Sequence, residues 1–133
     1  MAHPGTSPYK STGGIRRLAK AMRYSFQGFK AALKYEAAFR HELALATLMI
    51  PAAFFVGRNA LEIMVLILCV VLVLVVELLN SAIEALADAL SVEMHPLLGR
   101  AKDLGSAAVM LSLFFTVATW ITIGISRYLG HHF

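Results

Sequence analysis

A chain of 133 residues in which 59% are hydrophobic and only 15% charged, with a mean hydropathy of +0.71, lies outside the range of water-soluble domains. Three membrane spans with short connections use nearly all of that length, which excludes a separate soluble catalytic domain and requires any active site to be built from the helices themselves. The formal net charge is +4, but its distribution along the chain says more than its sum.

Residues 1–14 are polar and rich in Gly, Pro, Ser and Thr, and read as a mobile leader with no apolar core of the kind a cleavable signal needs. From Ile15 the apolar residues Ile15, Leu18, Ala19, Met22, Phe26, Phe29 and Leu33 recur at helical spacing, flanked by Arg16, Arg17, Lys20, Arg23, Lys30 and Lys34. That pattern predicts a basic amphipathic helix over about 15–34, lying in the membrane interface with its cations toward anionic headgroups. A soluble helix packed on another protein is the alternative reading.

The first span is predicted over about 38–57, counted back about 20 residues from Gly57, and contains Pro51. Gly57, Arg58 and Asn59 predict a tight turn. The second helix runs over about 61–90. From Ile63 to Leu90 it is about 42 Å long against a hydrocarbon core of about 30 Å, so its last turns must leave the bilayer. Residues from His95 to Arg100 read as an inner loop, and the third span is expected over about 104–127. The fold class expected is therefore all-α, with three transmembrane helices and an N-terminal amphipathic surface helix; residues 15–133 form a single membrane domain. Ten of the twelve Lys and Arg residues precede the first apolar run, which starts at Leu43, or lie between the second and third, which predicts an N-terminus inside and a C-terminus outside. Cys69 lies in an apolar run and carries no redox expectation. His3 and the His131–His132 pair read as solvated ends.

Charges are costly at membrane depth, so their placement needs a reason. With Glu77 as origin and about 100° per residue, Asn80, Ser81, Glu84 and Asp88 all fall within about 60° of its direction. Five polar side chains share one face of the second helix. Glu36 and Arg40 on the helix of the first span, the former just before it, and Lys102 and Asp103 at the start of the third, reach the same level. Carboxylates at a boundary between water and lipid suit two tasks, holding a hard divalent cation and taking a proton from a hydroxyl, while nearby Lys and Arg suit phosphate. Spacing alone leaves open that Glu36, Glu84 and Asp88 form interfacial ion pairs with Arg40, Arg100 and Lys102. Glu77 is harder to read that way, because it ends 14 uncharged residues and has no basic residue within a helical turn. Its setting suits a general base. No GxxxxGK[ST] loop, glycine-rich kinase loop or DFG is present.

The run Glu77-Leu78-Leu79-Asn80-Ser81-Ala82-Ile83-Glu84-Ala85-Leu86-Ala87-Asp88 resembles the signature E-x-[LIVM]-N-[ST]-[SA]-[LIV]-E-x-x-[AV]-D of the prokaryotic diacylglycerol kinase family at every specified position. Glu36-Ala37-Ala38-Phe39-Arg40, Tyr24-Ser25 and the segment from Gly99 to Ala108 are similar to other parts of that family. The resemblance implies a homotrimeric enzyme of a bacterial cytoplasmic (inner) membrane that phosphorylates diacylglycerol with ATP, with its N-terminus cytoplasmic and its C-terminus periplasmic. It implies a general base at Glu77 and Mg²⁺ at Glu36 and Glu84. Arg17, Tyr24, Glu36, Glu84, Glu93, Met94, His95, Lys102 and Asp103 match positions at the nucleotide. Arg17, Ala38, Phe39, Arg40, His41, Glu42, Glu77, Ser106 and Trp120 match positions at the lipid, with Lys20, Asn80 and Asp88 in support. Nucleic acid is not an expected partner. Phe26, His41 and Pro96-Leu97-Leu98 depart from the family pattern, the first two near the lipid entrance and so bearing on substrate preference. Undecaprenol is the alternative acceptor within the same class, and a small transporter or channel subunit, or a membrane adaptor, is the reading from another.

Overall fold

The computed structural model describes residues 13–90 and 95–130. Most of the expected leader, Glu93 and Met94, and His3, His131 and His132 lie outside the described residues. Four helices follow in order: α1 (Gly14–Tyr35), α2 (Ala37–Val56), α3 (Ala60–Leu90) and α4 (Pro96–Leu129). No strand occurs among the described residues. The chain divides into two compact units, one ending at Tyr35 and the other starting at Glu36.

In the first unit, α1 carries the amphipathic pattern read from its sequence. Ile15, Leu18, Met22, Phe26, Phe29 and Leu33 form a stripe of exposed apolar side chains down one face. Such a stripe is stable in the interface of a bilayer, where the acyl region covers it.

The second unit is an antiparallel hairpin extended by a third helix. Helices α2, α3 and α4 are each long and apolar enough to cross a membrane. α3 is central, packing extensively on α4 and also on α2, while α2 and α4 touch only slightly. Phe39, Ala46 and Ala53, seven residues apart along α2, are its buried positions. On α4 the buried positions are Gly105, Ser112 and Thr116. Hydrocarbon offers no hydrophobic drive between such helices, so small residues that let the backbones approach do the packing. The Thr116 hydroxyl lies 2.9 Å from Ser112 O on its own helix and 3.1 Å from Cys69 O on α3, so its single proton is shared between the two helices. Pro51 interrupts the ladder of α2 without ending it, as proline does in membrane helices whose neighbours hold them.

The turn between α2 and α3 is tight and closely built. Asn59 Oδ1 accepts from Glu62 N–H at 2.9 Å and so caps the start of α3. Arg58 forms an ion pair with Glu62 at 2.8 Å and donates to Ser126 Oγ on α4 at 2.8 Å, joining all three helices at this end.

The expected inner loop from His95 to Arg100 is corrected by the structure. Only His95 is non-helical: its Nδ1 accepts from Leu97 N–H at 3.2 Å, and Pro96 opens α4. Proline at the first position of a helix has no N–H to lose and a φ already suited to the helix, so the residue read as a breaker is a starter. α4 is consequently 34 residues long and α3 31, about 51 Å and about 46 Å, and both overrun a core of about 30 Å.

A Cβ added at Gly57 would stand 2.6 Å from Ile63 Cγ1 and 2.9 Å from Ile63 N. Gly57→Ala is expected to destabilise the helical unit by about 1–3 kcal/mol, as overpacking does. Reversible unfolding in mixed micelles measures this; a variant as stable as the parent would show that the turn has room to shift.

Candidate functional site

The polar stripe on α3 sinks into the protein and then emerges from it. Glu77 is 5% exposed, Asn80 8% and Ser81 9%; Glu84 is half-buried, and the Asp88 side chain is 69% exposed. Helical periodicity explains the single face, and the opposite face carries the exposed Leu79, Ile83 and Leu86. The stripe thus runs from the packed interior at Glu77 to the surface at Asp88.

Carboxylates from two helices meet on this stripe. Glu77 lies within electrostatic reach of Glu84 on its own helix and of Glu36 at the start of α2, and Glu42 on α2 lies within reach of Glu77. The local structure at Glu36 leaves its side chain available. Its backbone is extended, its carbonyl accepts from Arg40 N–H at 3.2 Å, and its carboxylate makes no cap bond to the helix it precedes. On the α4 side, Lys102 Nζ stands 3.0 Å from Asp88 Oδ1 and within electrostatic reach of Glu84. Asn80 Nδ2 donates to Glu84 Oε1 at 3.2 Å. Glu42 Oε2, Asn80 Oδ1 and Trp120 Nε1 are buried with no hydrogen-bond partner among the described residues.

Some expected residues therefore stand together and others apart. Glu36, Glu42, Glu77, Asn80 and Glu84 form one cluster, with Asp88 and Lys102 at its outer edge. The sequence pattern left Lys102 facing phosphate or a carboxylate; in this structure it is paired with Asp88. His95 caps α4, and Asp103 and Ser106 are exposed on the same helix. Ala38, Arg40 and His41 are exposed, whereas Phe39 is 2% exposed and belongs to the packed interior. Trp120 is half-buried. Arg17, Lys20 and Tyr24 are exposed on α1, in the other compact unit.

No three His, Cys, Asp or Glu side chains among the described residues are placed to hold a metal ion by themselves. Two carboxylates, Glu36 and Glu84, both within electrostatic reach of Glu77, are nevertheless a donor set of the kind suited to magnesium, which keeps waters and substrate phosphates in most of its coordination positions. A cavity of about 490 Å³ lies far from this cluster, at the Arg58 end, lined by Arg58, Ile121, Thr122, Ile125, Ser126, Leu129 and Gly130. It presents no carboxylate.

Two features escaped the sequence. One is Gly105, where an added Cβ would collide with Asn80 Oδ1; a glycine inside a helical pattern is the signal that could have found it. The other is the bond from Arg58 to Ser126, which joins residues 68 positions apart and has no local signature.

The family model for prokaryotic diacylglycerol kinase matches residues 23–124. A protein named diacylglycerol kinase from Haemophilus influenzae is 47% identical over 112 residues, covering 84% of this chain and 94% of its own. Its namesake from Pseudomonas aeruginosa is 46% identical over 117 residues, covering 88% and 95%. That from Escherichia coli K12 is 46% identical over 110 residues, covering 83% and 90%.

An ion pair between exposed side chains is screened and contributes little to stability. Asp88→Ala is accordingly expected to leave the thermal unfolding curve superimposable on that of the parent at both low and high salt. A clear loss at low salt alone would show that the Asp88–Lys102 pair holds α3 to α4.

Proposed function

The chain belongs to the prokaryotic diacylglycerol kinase family and phosphorylates diacylglycerol with ATP to give phosphatidic acid, and we propose that transfer occurs at the acidic cluster where α3 leaves the bilayer. The observation that carries this reading is the convergence of Glu36, Glu42 and Glu84 on the buried Glu77, from two helices and at one end of the bundle. A lipid hydroxyl reaches headgroup depth without leaving the membrane, and ATP arrives from water. The cluster spans that boundary.

Glu77 is the general base. It takes the proton of the lipid hydroxyl as that oxygen bonds to the γ-phosphorus and the bond to the departing ADP oxygen breaks. Its burial keeps bulk water from replacing the lipid as phosphoryl acceptor. Glu36 and Glu84 hold Mg²⁺, which when bound neutralises charge on the phosphate oxygens. Lys102 exchanges Asp88 for a phosphate oxygen. Arg17, Tyr24, Glu93, Met94, His95 and Asp103 complete the nucleotide side. Ala38, Arg40, His41, Glu42, Ser106 and Trp120 bound the lipid side, and Phe39, buried in the packed interior, supports them from behind. The working assembly is a homotrimer in a bacterial inner membrane, with the N-terminus cytoplasmic and the C-terminus periplasmic; the excess of Lys and Arg before α2 and at the start of α4 supports that orientation.

The test uses the full chain in mixed micelles with radiolabelled ATP and Mg²⁺, offering diacylglycerol and undecaprenol separately. Label is expected in phosphatidic acid. Label confined to undecaprenyl phosphate would reassign the acceptor, and label in neither would end the kinase reading. Glu77→Gln is expected to lower kcat by about 100- to 10,000-fold with the assembly intact by size-exclusion chromatography. Activity near that of the parent would remove Glu77 from the role of base.

A further inference from the structure

Asn80 stands about one helical turn after Glu77 and one turn before Glu84, on the buried face of α3. Its amide is held from two sides. Nδ2 donates to Glu84 Oε1 at 3.2 Å. Oδ1 is buried without a hydrogen-bond partner and occupies the space that a Cβ would take at Gly105 of α4. Turned over, the amide would set its carbonyl against the Glu84 carboxylate, two acceptors with no proton between them. Only one orientation avoids that repulsion, and glycine on the facing helix leaves room for it. The Cα–H groups of Gly105 are weak donors toward the same oxygen, which adds to the preference.

A helix pair that had only to pack would be better served by leucine here, because a buried amide with an unsatisfied acceptor costs free energy that an apolar side chain of similar shape does not. The position is explained by what the amide does to its neighbour. We infer that Asn80 is a positioning residue for the metal–nucleotide site: locked by Gly105, it pins one oxygen of Glu84 and fixes which of the two is left for a divalent cation on a nucleoside triphosphate. The inference rests on the assignment of Glu84 to that cation. It extends that assignment to a second helix, since α4 controls the Glu84 carboxylate through a glycine that touches no substrate. Hydrogen bonds of this kind, from a neighbour to a ligating carboxylate, set metal affinity more than they set the fold.

The experiment measures Mn²⁺ binding by electron paramagnetic resonance to the full-length protein in nanodiscs, with the non-hydrolysable β,γ-methylene analogue of ATP present. The parent is compared with Glu84→Gln, Asn80→Leu and Gly105→Ala, each checked for helical content. Asn80→Leu is expected to weaken Mn²⁺ binding by about 10- to 100-fold. Gly105→Ala, which leaves Asn80 in place but drives its Oδ1 away, weakens binding in the same direction and reads the same contact should Asn80→Leu fail to fold. In turnover, Asn80→Leu raises the Mg²⁺ concentration for half-maximal rate more than it lowers kcat. Parent-like Mn²⁺ affinity in Asn80→Leu or Gly105→Ala, with Glu84→Gln impaired, overturns the role of Asn80 alone. Parent-like affinity in Glu84→Gln overturns the cation assignment and this inference with it.

Discussion

The organisation of this molecule depends on one constraint: a carboxylate or amide on a membrane helix must face protein or water and not acyl chain. α3 meets it by collecting Glu77, Asn80, Ser81, Glu84 and Asp88 on one face and leaving Leu79, Ile83 and Leu86 on the other. The polar face becomes more exposed from Glu77 to Asp88, on a helix longer than a bilayer core is thick. In the proposed site the acidic cluster lies at the depth where a membrane-bound alcohol and a water-borne nucleotide both arrive. On that proposal the boundary itself takes over the separation of the two substrates.

The rest of the fold serves to hold that face against its neighbours. Contacts along α3 and α4 run in opposite chain directions, from Arg58 with Ser126, through Cys69 with Thr116 and Asn80 against Gly105, to Asp88 with Lys102. Each uses a polar group or a small residue, because apolar contact gives no advantage over lipid. At one end the Arg58 junction fastens three helices, and at the other the Asp88–Lys102 pair is exposed to solvent. The bundle is firmly tied at the Arg58 end and more loosely at the end that carries the acidic cluster. In the proposed site the residues that exchange partners for a nucleotide stand at this looser end, as expected of a site that admits a charged substrate.

Much of this was legible in the residues themselves. The alternation of charged and uncharged stretches marks three spans, and the 3.6-residue period marks the polar face of α3. Burial falls from Glu77 to Asp88 along that face. Misreading began where local chemistry has two meanings. Pro96 breaks a helix from within and starts one from its first position, and periodicity across residues 95–100 does not distinguish the two. Lys102 posed the same difficulty, because a lysine opposite an acidic face suits either a phosphate or Asp88. Contacts between distant residues were out of reach for another reason. The Arg58–Ser126 bond and the fit of Gly105 to Asn80 depend on the register of α3 against α4, which one sequence does not encode as a pattern. The catalytic and binding roles entered through the twelve-residue signature, not through spacing, which by itself allowed interfacial ion pairs equally well.

The crowding of acidic groups also bears on how the reaction ends. Diacylglycerol enters uncharged, and phosphatidic acid departs carrying a phosphate monoester with a charge of about −1.5 to −2 near neutral pH. In the proposed site that new charge stands beside Glu36, Glu42 and Glu84 and is repelled by them once the nucleotide has left. On that proposal the substrate is admitted as a neutral molecule and the product leaves as an anion, which favours lipid traffic back into the bilayer without any moving gate.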